Sequence, residues 1–420
     1  MYCRHCGAEM PETQAVCEAC GEKNPMPKKF NWAVVVAAIC CVAISAGLVA
    51  TVLMGMNPTP ATPGSALTDR TSYTGTKDEV MAALDTVVAT AGEFELTNRE
   101  LQIAYWTSIY DFLTFYGEYA TMWVDFTQPL DQQYIDTTMS TTWQQYFLEA
   151  AITSWRRYEI LVALAKEDNQ PMSAELETWF ADLPNQLKAT VSQYGFNSVD
   201  EMVAYDYGEC SDYAAYEAYM KLYYYSDEKY ERLYNSITLT EAQLEAYYSE
   251  NQSSIESSGY GKNAGSIVNV RHILIAPGTD AEKPFTEEQW TAAQNRAQAL
   301  LNTWLQGSAD EDAFAALAKT NSSCSSAAQG GLIENIVKGQ MVAEFEEWCM
   351  EPHEYGDYGI VKTSYGYHLM FYVDGMELWR SAAESGLRSE KINEVLNAKE
   401  AQSPLKVQYD KIMLAEGKFG

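Results

Sequence analysis

Basic residues are scarce in this 420-residue chain: 28 Lys and Arg stand against 58 Asp and Glu, for a formal net charge of −30. A surface of that sign cannot neutralise phosphates, so nucleic acid is excluded as a partner. Histidine is scarcer still. Only His5, His272, His353 and His368 occur, so His272, set into the aliphatic run "NVRHILIAP", calls for an explanation. Residues 93–257 contain no constellation of metal ligands and no nucleophile paired with a base; Cys210 stands alone there.

Charge is missing altogether from Trp32 to Met54, "WAVVVAAICCVAISAGLVATVLM". At about 1.5 Å per residue such a run spans the ~30 Å hydrocarbon core of a bilayer, and residues 31–56 are expected to form one transmembrane helix. A cleaved signal peptide has a shorter apolar region nearer the start. A lipoprotein signal needs a small residue before the modified cysteine, whereas Ile39 precedes Cys40. Lys28 and Lys29 flank one side of the run, and no basic residue follows it until Arg70. Positive charge stays inside, so the N-terminus is expected in the cytosol and the main domains outside the cell membrane. Residues 1–56 balance Arg4, Lys23, Lys28 and Lys29 against Glu9, Glu12, Glu18 and Glu22, which puts the whole acidic excess in the outer portion.

What the head does have is cysteine. Cys3, Cys6, Cys17 and Cys20 form two CxxC knuckles ten residues apart. Each knuckle aims two thiolates at one point, and two complete a closed tetrahedral site for a structural Zn²⁺. So short a segment (1–24) has no core of its own, and the metal would supply most of its folding free energy. It resembles the small zinc ribbons at the N-termini of many bacterial membrane proteins. His5, between the paired cysteines, is expected to be exposed.

Residues 57–85, rich in Pro, Thr, Ser and Gly, read as a flexible linker. From 86 to 255 the apolar spacing is helical, with capping boxes at Thr97/Glu100 and Thr240/Gln243 and an unusual density of tyrosine. Aromatic residues at this spacing are ordinarily core, although some could line a groove for apolar segments of other chains. At Ile267 the pattern changes. "IVNVRHILIAP" reads as a strand, Thr286/Gln289 open a helix that Gly307 ends, "EDAFAALAKTN" reads as a second helix, and "GIVKTSYGYHLMFYV" as strand, turn and strand. Residues 262–378 are therefore expected to form a small antiparallel sheet with covering helices, followed by a C-terminal helix (379–420) that packs on the helical domain.

The blocks "RHILI", "AFAALA", "SSCSSAAQGG", "KGQMVAEFE" and "GIVKTSYGYHLMFYV", in this order and spacing, resemble the parvulin family of peptidyl-prolyl cis–trans isomerases. With helices before and after and an anchor ahead, the arrangement is similar to extracytoplasmic foldases of the PrsA and SurA type. The resemblance implies an α+β fold, a parvulin-like domain inserted in an all-helical chaperone-like domain. It implies that His272 and His368 are the paired active-site histidines, with Cys324 and Thr363 in the polar network around them. Ile333, Met341 and Phe345 become the walls of the proline pocket. The activity implied is rotation of X-Pro bonds in unfolded or secreted polypeptides, without a cofactor in catalysis and without a required covalent role for Cys324. His353 matches no motif and reads as a loop residue.

Two departures stand out. After Gly330 and Gly331 many relatives have Asp-Leu-Gly, whereas this chain has Leu332, Ile333 and Glu334. The loop "APGTDAEKPF" after Ile275 has no Arg/Lys cluster to select a phosphorylated substrate. Two alternatives stay open at this level: a holdase whose parvulin domain binds chains with little turnover, and an anchored scaffold whose ribbon recruits a cytosolic partner.

Overall fold

The computed structural model describes residues 72–135, 139–279 and 283–415. The four ribbon cysteines and the apolar run 31–56 lie outside them. Among the described residues no helix is long and apolar enough to cross a membrane. The chain divides into two units, one ending at Ile237 and resuming at Ser389, the other running from Thr238 to Arg388.

The first unit begins with α1 (Lys77–Ala83) and a hairpin of β1 (Val87–Ala91) and β2 (Phe94–Thr97). It continues through α2 (Asn98–Tyr116), α3 (Trp143–Glu167), α4 (Ala174–Tyr194), α5 (Val199–Asp206) and α6 (Tyr213–Ser236). Local chemistry sets the helix starts. Thr76, Thr97 and Thr142 each form a complete capping box with the residue three positions on, satisfying amides that the first turn leaves unpaired. Gly117, at φ 55°, ends α2 in a conformation costly for any residue with a Cβ. Buried faces of α2, α3 and α6 meet in one core that includes Leu101, Ile109, Phe147, Trp155 and Tyr219. Many of the tyrosines are core: Tyr73, Tyr105, Tyr158, Tyr216 and Tyr230 are all buried.

Three expectations change here. The helical domain is not all-helical, because β1 pairs antiparallel with β2 on one side and with β7 (Leu405–Val407) on the other. The third strand comes from the far end of the chain, so no local pattern announces the sheet. The linker is shorter than 57–85: Tyr73, Val80 and Leu84 are buried, and Leu414 N–H donates to Tyr73 O at 2.8 Å. The helix expected over 379–420 is α11 (Leu378–Gln402), after which the chain turns into β7. Ile392 and Leu396 of α11 pack with Ile160, Leu161 and Tyr230, and Arg156 and Arg157 both pair with Glu400.

Asn98 ties this closing segment down. It is fully buried; its Nδ2 donates to Ala83 O (3.2 Å) and Lys411 O (3.0 Å), and its Oδ1 accepts from Met413 N–H (3.0 Å). Asn98→Ala leaves three backbone groups without these partners, and denaturant unfolding should show a loss of roughly 2–3 kcal/mol.

The second unit contains α7 (Glu241–Ser257), β3 (Ser266–Ile275), α8 (Glu287–Gln306), α9 (Glu311–Asn321), β4 (Leu332–Ile336), α10 (Ala343–Met350), β5 (Tyr358–Thr363) and β6 (Gly366–Glu377). α7 therefore groups with this unit rather than with the helical one, and Leu244, Tyr248 and Ile255 pack on Trp379 and Ala383 at the start of α11. Its four strands form an antiparallel sheet in the order β4-β3-β6-β5. Period-two alternation sorts the two faces. Ile273, Ile275, Leu369 and Phe371 meet Ala297, Trp304 and Phe314 from α8 and α9. Val270, Met370 and Tyr372 meet Phe345 and Cys349 from α10 on the other face.

Candidate active site

His272 and His368 lie on neighbouring strands, where β3 pairs residue 272 with Met370 and residue 274 with His368. The two rings are thus diagonal neighbours on the face that α10 covers. They lie nearly parallel, with centroids 5.2 Å apart and planes inclined by 13°, and their Nδ1 atoms are 3.0 Å apart. At that distance one Nδ1 carries the proton and the other accepts it. The outer nitrogens are held as well: His272 Nε2 lies 3.1 Å from Ser326 Oγ, and His368 Nε2 lies 2.9 Å from Thr363 Oγ1. The result is a four-member chain, Ser326, His272, His368, Thr363, in which every ring nitrogen has a partner. Thr363 Oγ1 also accepts from Tyr365 N–H at 3.1 Å, which fixes the turn between β5 and β6.

Burial decides the charge of this pair. His272 is 3% and His368 5% exposed. Loss of water pushes His272 down to about 4. Burial, and then the charge that would sit on His272, push His368 down to about 4 too. Both rings are therefore neutral at pH 7. The chain of hydrogen bonds has room for one extra proton at most, since a second would set two N–H groups against each other across 3.0 Å.

Phe345 stands edge-on to both rings, 5.4 Å from His272 at 88° and 5.2 Å from His368 at 76°. Ile333, on β4 opposite Val270, and Met341, just before α10, are half-buried and pack on the same apolar cluster. The three pocket residues read from the sequence thus belong to one face, beside the histidines. Leu332, Ile333 and Glu334, where the sequence departs from its relatives, form the edge strand β4.

The hydrogen bond to His272 comes from Ser326, two residues beyond Cys324. Cys324 is a half-buried free thiol whose backbone amide donates to Ser322 Oγ at 3.3 Å. Serines staple this whole segment to β3. Leu274 N–H donates to Ser322 Oγ (3.0 Å), Ser323 N–H to Leu274 O (2.8 Å) and His272 N–H to Gly331 O (2.8 Å). The density of serine in "SSCSSAAQGG" was the available signal for Ser326. Gly331 permits the approach: at φ +75°, an added Cβ would lie 2.2 Å from His272 O. Arg271, next to the histidine, donates to Gln329 O (3.0 Å) and Gly330 O (3.1 Å) and pairs with Glu311, holding the glycines in place.

His353 is a structural loop residue, stacked on Trp348 with centroids 4.2 Å apart and bonded to Trp348 O at 2.9 Å. Among the described residues, no cluster of three or more His, Cys, Asp or Glu could hold a metal ion.

The neutral pair has a measurable consequence. Unfolded histidine takes a proton near 6.5, whereas these rings hold out to about 4 in the folded state. The unfolded chain binds protons first, so stability is intact above about 6.5 and falls as the pH drops towards 4, by an order of 3 kcal/mol for each ring. Replacing both histidines by Gln should flatten this part of the pH–stability curve measured by urea unfolding.

A family model for the PPIC-type PPIase (rotamase) domain matches residues 272–374, which span both histidines, Cys324 and the pocket. The putative peptidyl-prolyl cis-trans isomerase dodo of Drosophila melanogaster is 30% identical over 115 residues, 27% of this chain and 69% of that protein. Among solved structures, the peptidyl-prolyl isomerase ESS1 from Candida albicans is 25% identical, covers 30% of this chain and 74% of its own, and has a TM-score of 0.23. PrsA from Bacillus subtilis is 17% identical, covers 66% of this chain and 90% of its own, and has a TM-score of 0.27. The match to the PPIC-type domain and the identity over most of dodo place this chain in the parvulin family: it is a peptidyl-prolyl cis–trans isomerase.

Proposed function

We propose that the chain is a membrane-anchored foldase that turns X-Pro bonds of secreted polypeptides outside the cell membrane, using the histidine pair to shape the site and the apolar face of α10 to hold the ring. The observation that carries the catalytic part is the buried, neutral pair with Phe345 edge-on to both rings.

Prolyl isomerisation breaks no covalent bond. The barrier of ~18–20 kcal/mol comes from amide resonance, which is lost when the C–N bond is twisted. An apolar surface formed by Ile333, Met341 and Phe345 takes the proline ring and removes water from the amide. This favours the twisted state, in which charge is less separated than in the planar one. Neutral histidines suit that task. With every ring nitrogen committed to Ser326, Thr363 or its partner, neither ring is free to act as a base at pH 7. Their contribution is a fixed wall and fixed dipoles facing the rotating carbonyl. Thr363 borders the same site through His368, and nothing in the reaction requires a thiolate from Cys324.

In the full-length chain, His272→Ala with His368→Ala should lower kcat/KM for a short prolyl peptide by about 10²-fold or more. Met341→Ala should mainly raise KM, because its contact is made to substrate and transition state alike. A double variant as fast as the parent would overturn the assignment of the site.

The anchor and the ribbon rest on sequence chemistry. Residues 31–56 would cross the membrane with Lys28 and Lys29 in the cytosol. Cys3, Cys6, Cys17 and Cys20 supply four thiolates, a donor set suited to structural Zn²⁺ and able to present a small folded surface to a cytosolic partner. Elemental analysis of the purified chain should find about one zinc per chain, lost when Cys17 and Cys20 are both replaced by Ser. Protease added to intact cells should reach residues after Asn57 and spare the ribbon. Absence of zinc, or the reverse topology, would remove these two parts and leave the isomerase untouched.

A further inference from the structure

Between Lys338 and Lys362 the sequence has no Lys or Arg, and it carries the carboxylates of Glu344, Glu346, Glu347, Glu351, Glu354 and Asp357. His353 is the one side chain in this segment that can bring positive charge. It lies just past the end of α10, with its side chain only 12% exposed. Its ring stacks on Trp348 of that helix, with centroids 4.2 Å apart and planes inclined by 32°, and lies 5.3 Å from the ring of Tyr372 on β6. The two nitrogens have different partners: Nε2 is 2.9 Å from Trp348 O, and Nδ1 is 3.3 Å from Asp357 Oδ2.

Both partners can only accept. A carbonyl oxygen has no proton to offer, and an ionised Asp357 has none either; its Oδ2 already takes Glu354 N–H at 2.9 Å. A neutral imidazole has one N–H and serves one of the two, whereas the imidazolium serves both. The neighbouring elements bring no competing cation: α10 contributes the buried thiol of Cys349, and β6 contributes Tyr372, which also feels Asp374. Trp348 O belongs to the last turn of α10, where carbonyls lack helical partners and the helix dipole is negative, so a cation suits that end. Asp357 is held in turn by the sheet. Tyr372 N–H donates to Asp357 O (2.7 Å) and Gly356 N–H to Tyr372 O (3.0 Å), so the carboxylate sits on a loop already joined to β6.

The helix fastened in this way carries the pocket. α10 has eight residues, and its N-cap, Val342, makes no side-chain hydrogen bond. Trp348 follows Phe345 by one turn and lies against Gly359 of β5, where an added Cβ would be 2.9 Å from the indole Nε1. We propose that His353, with a proton on each nitrogen, is a positioning residue of the isomerase: it ties the last turn of α10 to the loop joined to β6 and thereby sets Phe345 and Met341 against the histidine pair. This rests on the reading that Ile333, Met341 and Phe345 hold the proline ring. It also gives the site a pH response that the pair does not supply. His272 and His368 stay neutral down to about 4, whereas histidine is the side chain that ordinarily changes charge between about pH 5 and 8. Loss of the proton leaves one N–H for two acceptors, and the pocket wall loosens.

The test measures kcat and KM of the full-length chain from about pH 5.5 to about 8.5 on a short prolyl peptide without ionisable side chains, with near-UV circular dichroism at each pH to confirm folded protein. KM should rise by about fivefold across this range while kcat changes little, because a wall residue touches substrate and transition state alike. His353→Gln should show the parent's high-pH KM at every pH. His353→Arg, a planar cation able to stack on Trp348 and donate to both acceptors throughout, should keep the low-pH value at every pH. Asp357→Asn should flatten the profile as well; the Asp357 side chain is 51% exposed, so this variant should keep the parent's melting temperature and carries the test if His353→Gln does not fold. A parent KM that does not change with pH, or a slope equal to the parent's in His353→Gln, His353→Arg or Asp357→Asn, overturns the proposal. Met341→Ala reads the pocket separately: an unchanged KM in that variant refutes the pocket itself, whereas a raised KM together with a flat parent profile refutes the part of His353 alone.

Discussion

Two histidines sharing one hydrogen bond, out of reach of water, are the constraint on which the catalytic unit depends. A buried imidazole with an unmet nitrogen would be costly, and here four nitrogens are satisfied by only two hydroxyls and one shared contact. That solution demands that β3 and β6 be adjacent and in one register, since a slip of one residue would send one ring to the opposite face. It also demands that the serine-rich segment lie against β3, which Gly331 permits and Arg271 maintains. Sheet register, loop conformation and site chemistry are thus one problem with one answer.

The same arrangement separates roles that a list of residues would merge. His272 and His368 look like acid–base groups by residue type, yet desolvation keeps them neutral at pH 7. In the proposed mechanism they provide shape and fixed polarity. Phe345 contributes to both sides of the site, as the edge against the imidazoles and as part of the apolar face with Met341 and Ile333. Reactions that only need an amide to twist are served by such a rigid, dry setting.

In the helical unit the organising fact is closure by distant segments. Residues 72–167 and 389–415 meet through the β1–β7 pairing, the bonds of Asn98 and the Arg156–Glu400 contacts. A sheet of three short strands therefore sits in a unit whose sequence pattern is almost wholly helical.

The sequence by itself determined the features set by neighbours along the chain. Capping boxes at Thr97, Thr240 and Thr286 form as their spacing requires, because a helix start depends on four consecutive residues. The aliphatic run "NVRHILIAP" and the strand-like "YGYHLMFYV" were enough to place both histidines on strands. Only the tertiary structure decided that Ser326 rather than Cys324 holds His272, that Arg271 clamps the glycines, that α7 belongs with the second unit, and that a third strand arrives from residue 405. Each of these depends on chain crossings between residues tens to hundreds of positions apart, where small differences in backbone path choose between equally plausible side chains. Local chemistry writes the elements and their faces; the hydrogen bonds between them exist only once the chain has closed.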